Sequence, residues 1–103
     1  MYMKIVINAC FGGFSVSEDF LKDYNIPYEK SKYGGIHPKT EIDFRTDHRL
    51  IEYIEKHGSE KASGSCAYLV VEEVPKGTAF MIDEYDGNES IVYRDDIPWM
   101  IAD

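Results

Sequence analysis

The stretch Lys4-Ile5-Val6-Ile7-Asn8-Ala9-Cys10-Phe11-Gly12-Gly13-Phe14-Ser15 decides the fold. Its first seven residues are apolar on both faces and β-branched at the centre, the pattern of a buried strand. The glycine pair Gly12-Gly13 breaks that strand. Ser15 and Glu18 then form an S-x-x-E capping box, with acidic residues in the first turn. Phe20, Leu21 and Tyr24 supply the apolar face of a helix that stops at Asn25 and Pro27. A strand, a glycine loop and a helix are therefore predicted in sequence order.

Beyond Pro27 the text becomes irregular. Gly34-Gly35 and His37-Pro38 are breakers, so residues 28–44 read as a long loop with a short strand at Glu41 to Phe44. A second helix begins at Thr46 or Asp47, buries Leu50, Ile51 and Ile54, and ends at Gly58. Ser59 to Ser65 reads as a polar connection. Cys66 to Val74 is strongly β-forming, Pro75-Lys76-Gly77 is a turn, and Phe80 and Ile82 alternate in a strand expected to return antiparallel to it. Asp86-Gly87-Asn88 is a further turn, Ser90 to Tyr93 a short strand or helical turn, and residues 94–103 an irregular tail. The order β-α-(β)-α-β-β-(β) predicts an α+β, mixed α/β domain spanning 1–103, with a mixed sheet of about four strands and two helices on one face.

Composition limits the function. The 103 residues suit one core; 44% hydrophobic and 14% aromatic residues are too many for a disordered chain. No apolar run reaches the ~18 residues of a membrane span, and the N-terminus shows no secretion signal, so the expected address is cytoplasm. Eleven basic against nineteen acidic residues give a net charge of −8, which repels long nucleic acid and anionic lipid. The excess is concentrated at the end: residues 1–78 carry 10 basic and 12 acidic side chains, residues 79–103 carry 1 and 7. A small anion can still be held in the near-neutral first part, because amides and guanidinium groups act over short range.

The candidate site is the glycine loop. Glycines at the carboxyl end of a strand allow close approach, so their N–H groups can cradle a phosphate at the helix start. The same glycines also serve ordinary strand-to-helix turns, and the pattern is neither G-x-G-x-x-G nor a lysine-bearing phosphate loop. Around the loop, Asn8, Cys10, Phe11, Phe14 and Ser15 are ligand candidates, the phenylalanines either stacking on a base or packing inward. Arg45, Thr46 and Asp47 precede the second helix. Arg45 can pair with a phosphate and Thr46 or Asp47 with a ribose hydroxyl, or the trio is simply a cap with a solvated arginine. Tyr85 and Asp86 are candidates for lining a pocket within reach of another subunit.

Cys10 invites a nucleophile reading, but no histidine is tied to it in sequence, and an inert thiol fits as well. Cys66 lacks CxxC spacing to it, so both are expected as reduced thiols. His37, His48 and His57 lack metal-ligand spacing, and Asp83 to Glu89 fails the calcium-loop pattern at Tyr85, so neither metal nor cofactor is expected.

The blocks Lys4-Ile5-Val6-Ile7-Asn8 with Cys10-Phe11-Gly12-Gly13-Phe14-Ser15, Arg45-Thr46-Asp47 with Leu50-Ile51, and Glu84-Tyr85-Asp86-Gly87 together resemble a family of small tailed-bacteriophage proteins of unknown function. The resemblance implies a phage setting and residence in host cytoplasm. It supplies no catalytic residues. In that setting, a glycine loop without a catalytic set suggests a non-catalytic, homo-oligomeric protein. Its expected role is to bind a phosphate-bearing small molecule, sequestering a nucleotide-type host immune signal. Two alternatives stay open: an acidic inhibitor of a host nucleic-acid-binding enzyme, and a small hydrolase using Cys10.

Overall fold

A computed structural model describes residues 1–94; the expected tail from 95 onward lies outside the described residues. Six strands and three helices follow in the order β1 (Tyr2–Asn8), α1 (Glu18–Asp23), β2 (Tyr28–Lys30), β3 (Ile36–Pro38), α2 (His48–His57), α3 (Ser59–Ala62), β4 (Leu69–Pro75), β5 (Phe80–Tyr85) and β6 (Asn88–Tyr93), with a 3-10 turn over Phe44–Thr46. The α+β class is as expected. The strands divide differently, into three antiparallel pairs, β1 with β4, β2 with β3 and β5 with β6, rather than one sheet of about four.

The expected hairpin between Cys66 to Val74 and the strand at Phe80 does not form. β4 pairs instead with β1, from Tyr2 opposite Pro75 to Asn8 opposite Leu69. β5 turns into β6 through Asp86 (φ 50°) and Gly87 (φ 87°), with Tyr85 opposite Asn88. Positive φ at both central residues is the signature of a type I′ two-residue turn, whose twist matches that of the flanking strands. That local closure satisfies β5 and leaves β4 for β1.

Side chains alternate across the β1–β4 pair. Val6 and Leu69 join the main core with Phe20 and Leu21 of α1, Leu50, Ile51, Tyr53 and Ile54 of α2, and Ala62 of α3. Phe20 is its centre, with ring centroids 5.3 Å from Tyr24, 5.4 Å from Tyr53 and 5.9 Å from Phe44. Ile5 and Ile7 point to the other face, where Ile7 and Val70 border a cleft shared with Ile91 and Tyr93 of β6. Helices thus cover one face and the β5–β6 hairpin approaches the other.

The helix starts test the capping rules. Asp47 caps α2, its carboxylate accepting from the Arg49 amide, and Gly58 (φ 94°) ends it, as the residue types require. α1 begins later than its capping box predicts. Ser17, not Ser15, is the N-cap: its Oγ accepts from the Phe20 amide at 3.1 Å and donates to the Lys61 carbonyl. Ser15 is held extended because its carbonyl accepts the Gly64 amide and Val16 bridges Ser63. Ser59 to Ala62 is a helical turn rather than a plain connection.

The 28–44 segment is also more ordered than expected. β2 and β3 form a short arm closed by the Ser31 amide on the Gly35 carbonyl at 2.7 Å. No strand forms at Glu41 to Phe44; Asp43 caps the 3-10 turn by accepting from the Arg45 amide, and Phe44 turns inward beneath Phe20. No helix of the described residues is long and apolar enough to cross a membrane.

Candidate functional site

The glycine loop is where expectation and structure part. Gly12 (φ 125°) and Gly13 (φ 107°) do require glycine. What approaches them is the chain's own hairpin turn. The Gly12 amide donates to the Asp86 carbonyl at 2.9 Å. A Cβ on Gly87 would lie 2.2 Å from the Gly13 nitrogen, and one on Gly12 would lie 2.5 Å from the Cys66 carbonyl oxygen. The Gly12 amide is therefore committed internally and the Gly13 amide lies under Gly87, so the expected phosphate cradle is corrected to a docking seat for Asp86 and Gly87. α1, six residues long and capped by Ser17, does not open on this loop.

Asn8 fastens the seat. It is fully buried, and its Nδ2 donates to the carbonyls of Cys10 and Gly87, both at 2.7 Å, while its Oδ1 accepts from the Tyr68 amide at 2.8 Å. Every one of these contacts is internal, which makes Asn8 a structural tie rather than a ligand residue.

Arg45 is likewise engaged. Its guanidinium binds the Glu89 carboxylate in a two-pronged ion pair, donates to the Val6 carbonyl at 3.3 Å and lies 4.5 Å from the Phe14 ring centroid. Glu89 also accepts the Asn8 amide at 2.8 Å. Ala9 donates on the opposite side to Tyr68, so Arg45 and Glu89 cover the outer edge of β1 at Val6 and Asn8. Burial alone would push the Glu89 carboxyl up; the Arg45 hydrogen bonds, the Asn8 amide and the Arg45 charge outweigh it and hold Glu89 below the ordinary carboxylate range. Asp47 is taken by α2 and by Arg49, the expected trio thus being dispersed: Arg45 into the hairpin tie, Asp47 into the cap and Thr46 onto the surface.

Phe11 and Tyr85 meet edge-on at 6.3 Å and remain 60% and 76% exposed, an aromatic ledge above the docked turn. Cys10 is half-buried and Cys66 exposed, both as free thiols. The histidines are occupied elsewhere: His57 packs on Tyr53 at 4.6 Å, and His37 and His48 line separate clefts. Among the described residues no three His, Cys, Asp or Glu side chains are grouped to hold a metal ion.

The structure brings Phe14 and Ser15 into a groove that the sequence does not announce. The β2–β3 arm folds over Ser15 to Glu18 and Ser63 to Ser65, leaving a cleft of about 320 Å³ lined by hydroxyls and by His37. On the far side of Ile36 and His37, which line both, a second recess of about 380 Å³ is bounded by Phe14, Pro38 and Phe44. Gly64 stands where a side chain would not fit without a shift, since a Cβ there would lie 2.1 Å from Ser15 Oγ and 2.8 Å from Ser15 Cβ; one on Gly35 would lie 2.9 Å from Ser31 Oγ and 3.2 Å from His37 Nε2, a tight fit. Glu18 at the rim accepts from the Tyr28 hydroxyl at 2.8 Å, with Lys30 at 3.8 Å and Lys22 at 4.0 Å. The Tyr28 hydrogen bond, helped by both ammonium groups against desolvation, holds the Glu18 carboxyl below its ordinary value. The sequence signal for this wall was the paired run Gly34-Gly35 and Ser63-Gly64-Ser65, small residues that carry meaning only once folded together.

No family model, no curated protein and no solved structure matches this chain.

Proposed function

We propose that the protein is a non-catalytic binder of a phosphate-bearing, nucleotide-type small molecule, and that the groove under the β2–β3 arm receives it. The observation that carries this reading is the groove's division into two chemistries. Phe14, Phe44 and Pro38 offer a ring surface, while Ser15, Ser65 and His37 offer hydrogen-bonding groups beside it; the Ser17 and Ser63 hydroxyls are spent on internal hydrogen bonds. Mostly apolar concavities with a few convergent polar groups are the usual form of a small-molecule site. Lys22 and Lys30, 4.0 and 3.8 Å from Glu18, offset the one carboxylate in the lining, which would otherwise repel a phosphate.

In the phage setting that the sequence resembles, the role is sequestration: the protein withholds a host immune signal in the host cytoplasm, as a homo-oligomer whose partner copies enclose what one small fold leaves open. The exposed Phe11–Tyr85 ledge is the surface suited to such a contact. Neither alternative gains an observation of its own. Glu84 and Glu89 of the acidic quarter are turned to internal hydrogen bonds, which weakens mimicry of a polyanion, and the described histidines all lie in other contacts than Cys10's.

The test is mass spectrometry of small molecules released from the purified protein, followed by calorimetric titration of a panel of nucleotides. Saturable binding that Ser65→Trp abolishes, at an exposed groove position, supports the reading. Absence of any released or titratable ligand, or binding indifferent to Ser65→Trp and His37→Ala together, overturns it.

A further inference from the structure

A second concavity lies where the first half of β1 meets the start of α2. It holds about 450 Å³ and is lined by Tyr2, Lys4, Thr46, His48, Ile51 and Lys76 together with Met3. Three different parts of the chain build it, and each is pinned. The Lys76 amide donates to the Met1 carbonyl at 3.0 Å, which fixes the turn after β4 against the start of β1. Lys4 stands opposite Glu73 in the register, with its Nζ 2.7 Å from Glu55. Thr46 closes the 3-10 turn and His48 opens α2, both exposed, while the Asp47 carboxylate between them is drawn to Arg49 at 2.8 Å.

The charge of this lining runs against that of the whole. In a chain of net charge −8, the cleft gathers two ammonium groups, one imidazole and two hydroxyls, and no carboxylate lines it. Lys4 is paired with Glu55, whose hydrogen bond and charge favour its ammonium form and offset the charge it brings; Lys76, His48, Thr46 and Tyr2 line the rest of the cleft. Convergent N–H and O–H donors around a compact cationic pocket match the acceptor oxygens of a phosphate group. The remote carboxylates are screened beyond a Debye length of ~8 Å at physiological salt.

We infer that this cleft is an anion site for a phosphate group, either free orthophosphate or the terminal phosphate of a phosphomonoester. It is separate from the groove: Phe44 borders the groove and Thr46 the cleft, at opposite ends of one 3-10 turn. The site therefore stands or falls independently of the proposed nucleotide groove.

The experiment is calorimetric titration of the full chain, at physiological salt and near-neutral pH, with inorganic phosphate, glycerol monophosphate and glycerol, none of which carries the base that the groove would read. Saturable binding of the two phosphates is expected, with inorganic phosphate tighter if the site takes the free ion and the monophosphate tighter if it takes the ester. Lys76→Met combined with His48→Gln weakens both by about tenfold or more, since each removes a charge-assisted or polar contact. Both positions are exposed, and a thermal melt confirms that the double variant is folded. Lys32→Met, at an exposed lysine outside the cleft, leaves phosphate binding unchanged. No saturation by either phosphate, an equal loss in Lys32→Met, or phosphate binding indifferent to the double variant overturns the inference.

Discussion

Replacing Glu89 by glutamine tests the central tie of the fold with almost no change in shape. The Glu89 side chain is 7% exposed and Arg45's 27%. The carboxylate accepts from the Asn8 amide and from both terminal nitrogens of Arg45. Hydrogen bonds to a charged group contribute roughly 1.5–3 kcal/mol each, and removing one partner of a buried ion pair costs about 3–5 kcal/mol. Glutamine retains one acceptor, and solvent reaches part of Arg45, so the expected loss is about 2–4 kcal/mol, somewhat below the cost of breaking a fully buried pair. For a domain of this size such a change lowers the melting temperature by roughly 10–20 °C. Urea unfolding followed by circular dichroism measures it as a shifted midpoint at an unchanged slope.

The same variant has a pH signature. Glu89 is held below its reference value of 4.5 in the folded state. A depressed carboxyl contributes stability that is fully present above the unfolded value and is lost as pH falls through the folded one. The parent's stability should therefore drop on acidification below about pH 4.5, and Glu89→Gln should drop less steeply. An unfolding free energy within about 0.5 kcal/mol of the parent's, the range of an ordinary surface change, would refute the view that this pair secures the hairpin.

Three further outcomes are expected. Asn8→Ala strands the Tyr68 amide and the Cys10 and Gly87 carbonyls, so hydrogen exchange at Gly12 and Tyr68 should accelerate and stability fall by about 2–4 kcal/mol; unchanged exchange contradicts the docking geometry. Gly87→Ala drives a Cβ to within 2.2 Å of Gly13 and should cost clearly more than Gly77→Ala, whose Cβ meets open space and pays only the positive-φ penalty of roughly 1–2 kcal/mol; equal denaturation midpoints would rule that out. Burial, aided by the Asp23 hydrogen bond, pushes the Tyr53 hydroxyl up to about 12 from 10.0. Its contribution is whole below the unfolded value and lost as pH rises from 10 toward 12, so alkaline melting should be steeper in the parent than in Tyr53→Phe.

Local chemistry was legible and long-range pairing was not. Asp47 and Gly58 bound α2 because caps act within one turn, and the Asp86-Gly87 turn follows from the φ values those residues tolerate. Ser15 satisfies the S-x-x-E pattern and Ser17, followed three residues later by Phe20, does not; the Gly64 amide, brought in by tertiary folding, takes the Ser15 carbonyl and overrides the local pattern. The glycine loop shows the same limit in the candidate site. Gly12 and Gly13 declare that something comes close, but a phosphate and a distant peptide make the same demand on the backbone. Ser63-Gly64-Ser65 and the Gly34-Gly35 arm meet across the groove without any periodicity that would advertise it.

The covered flank of β1 has a consequence for how this molecule fails. With Arg45 on the Val6 carbonyl and Glu89 on the Asn8 amide, the strand offers a neighbouring molecule no free ladder there. If the hairpin lifts, those two groups are bared beside Ile5 and Ile7, and an apolar strand with an open side recruits its own kind. Damage to the ion pair should therefore end in intermolecular strand stacking and precipitation sooner than in a soluble unfolded chain.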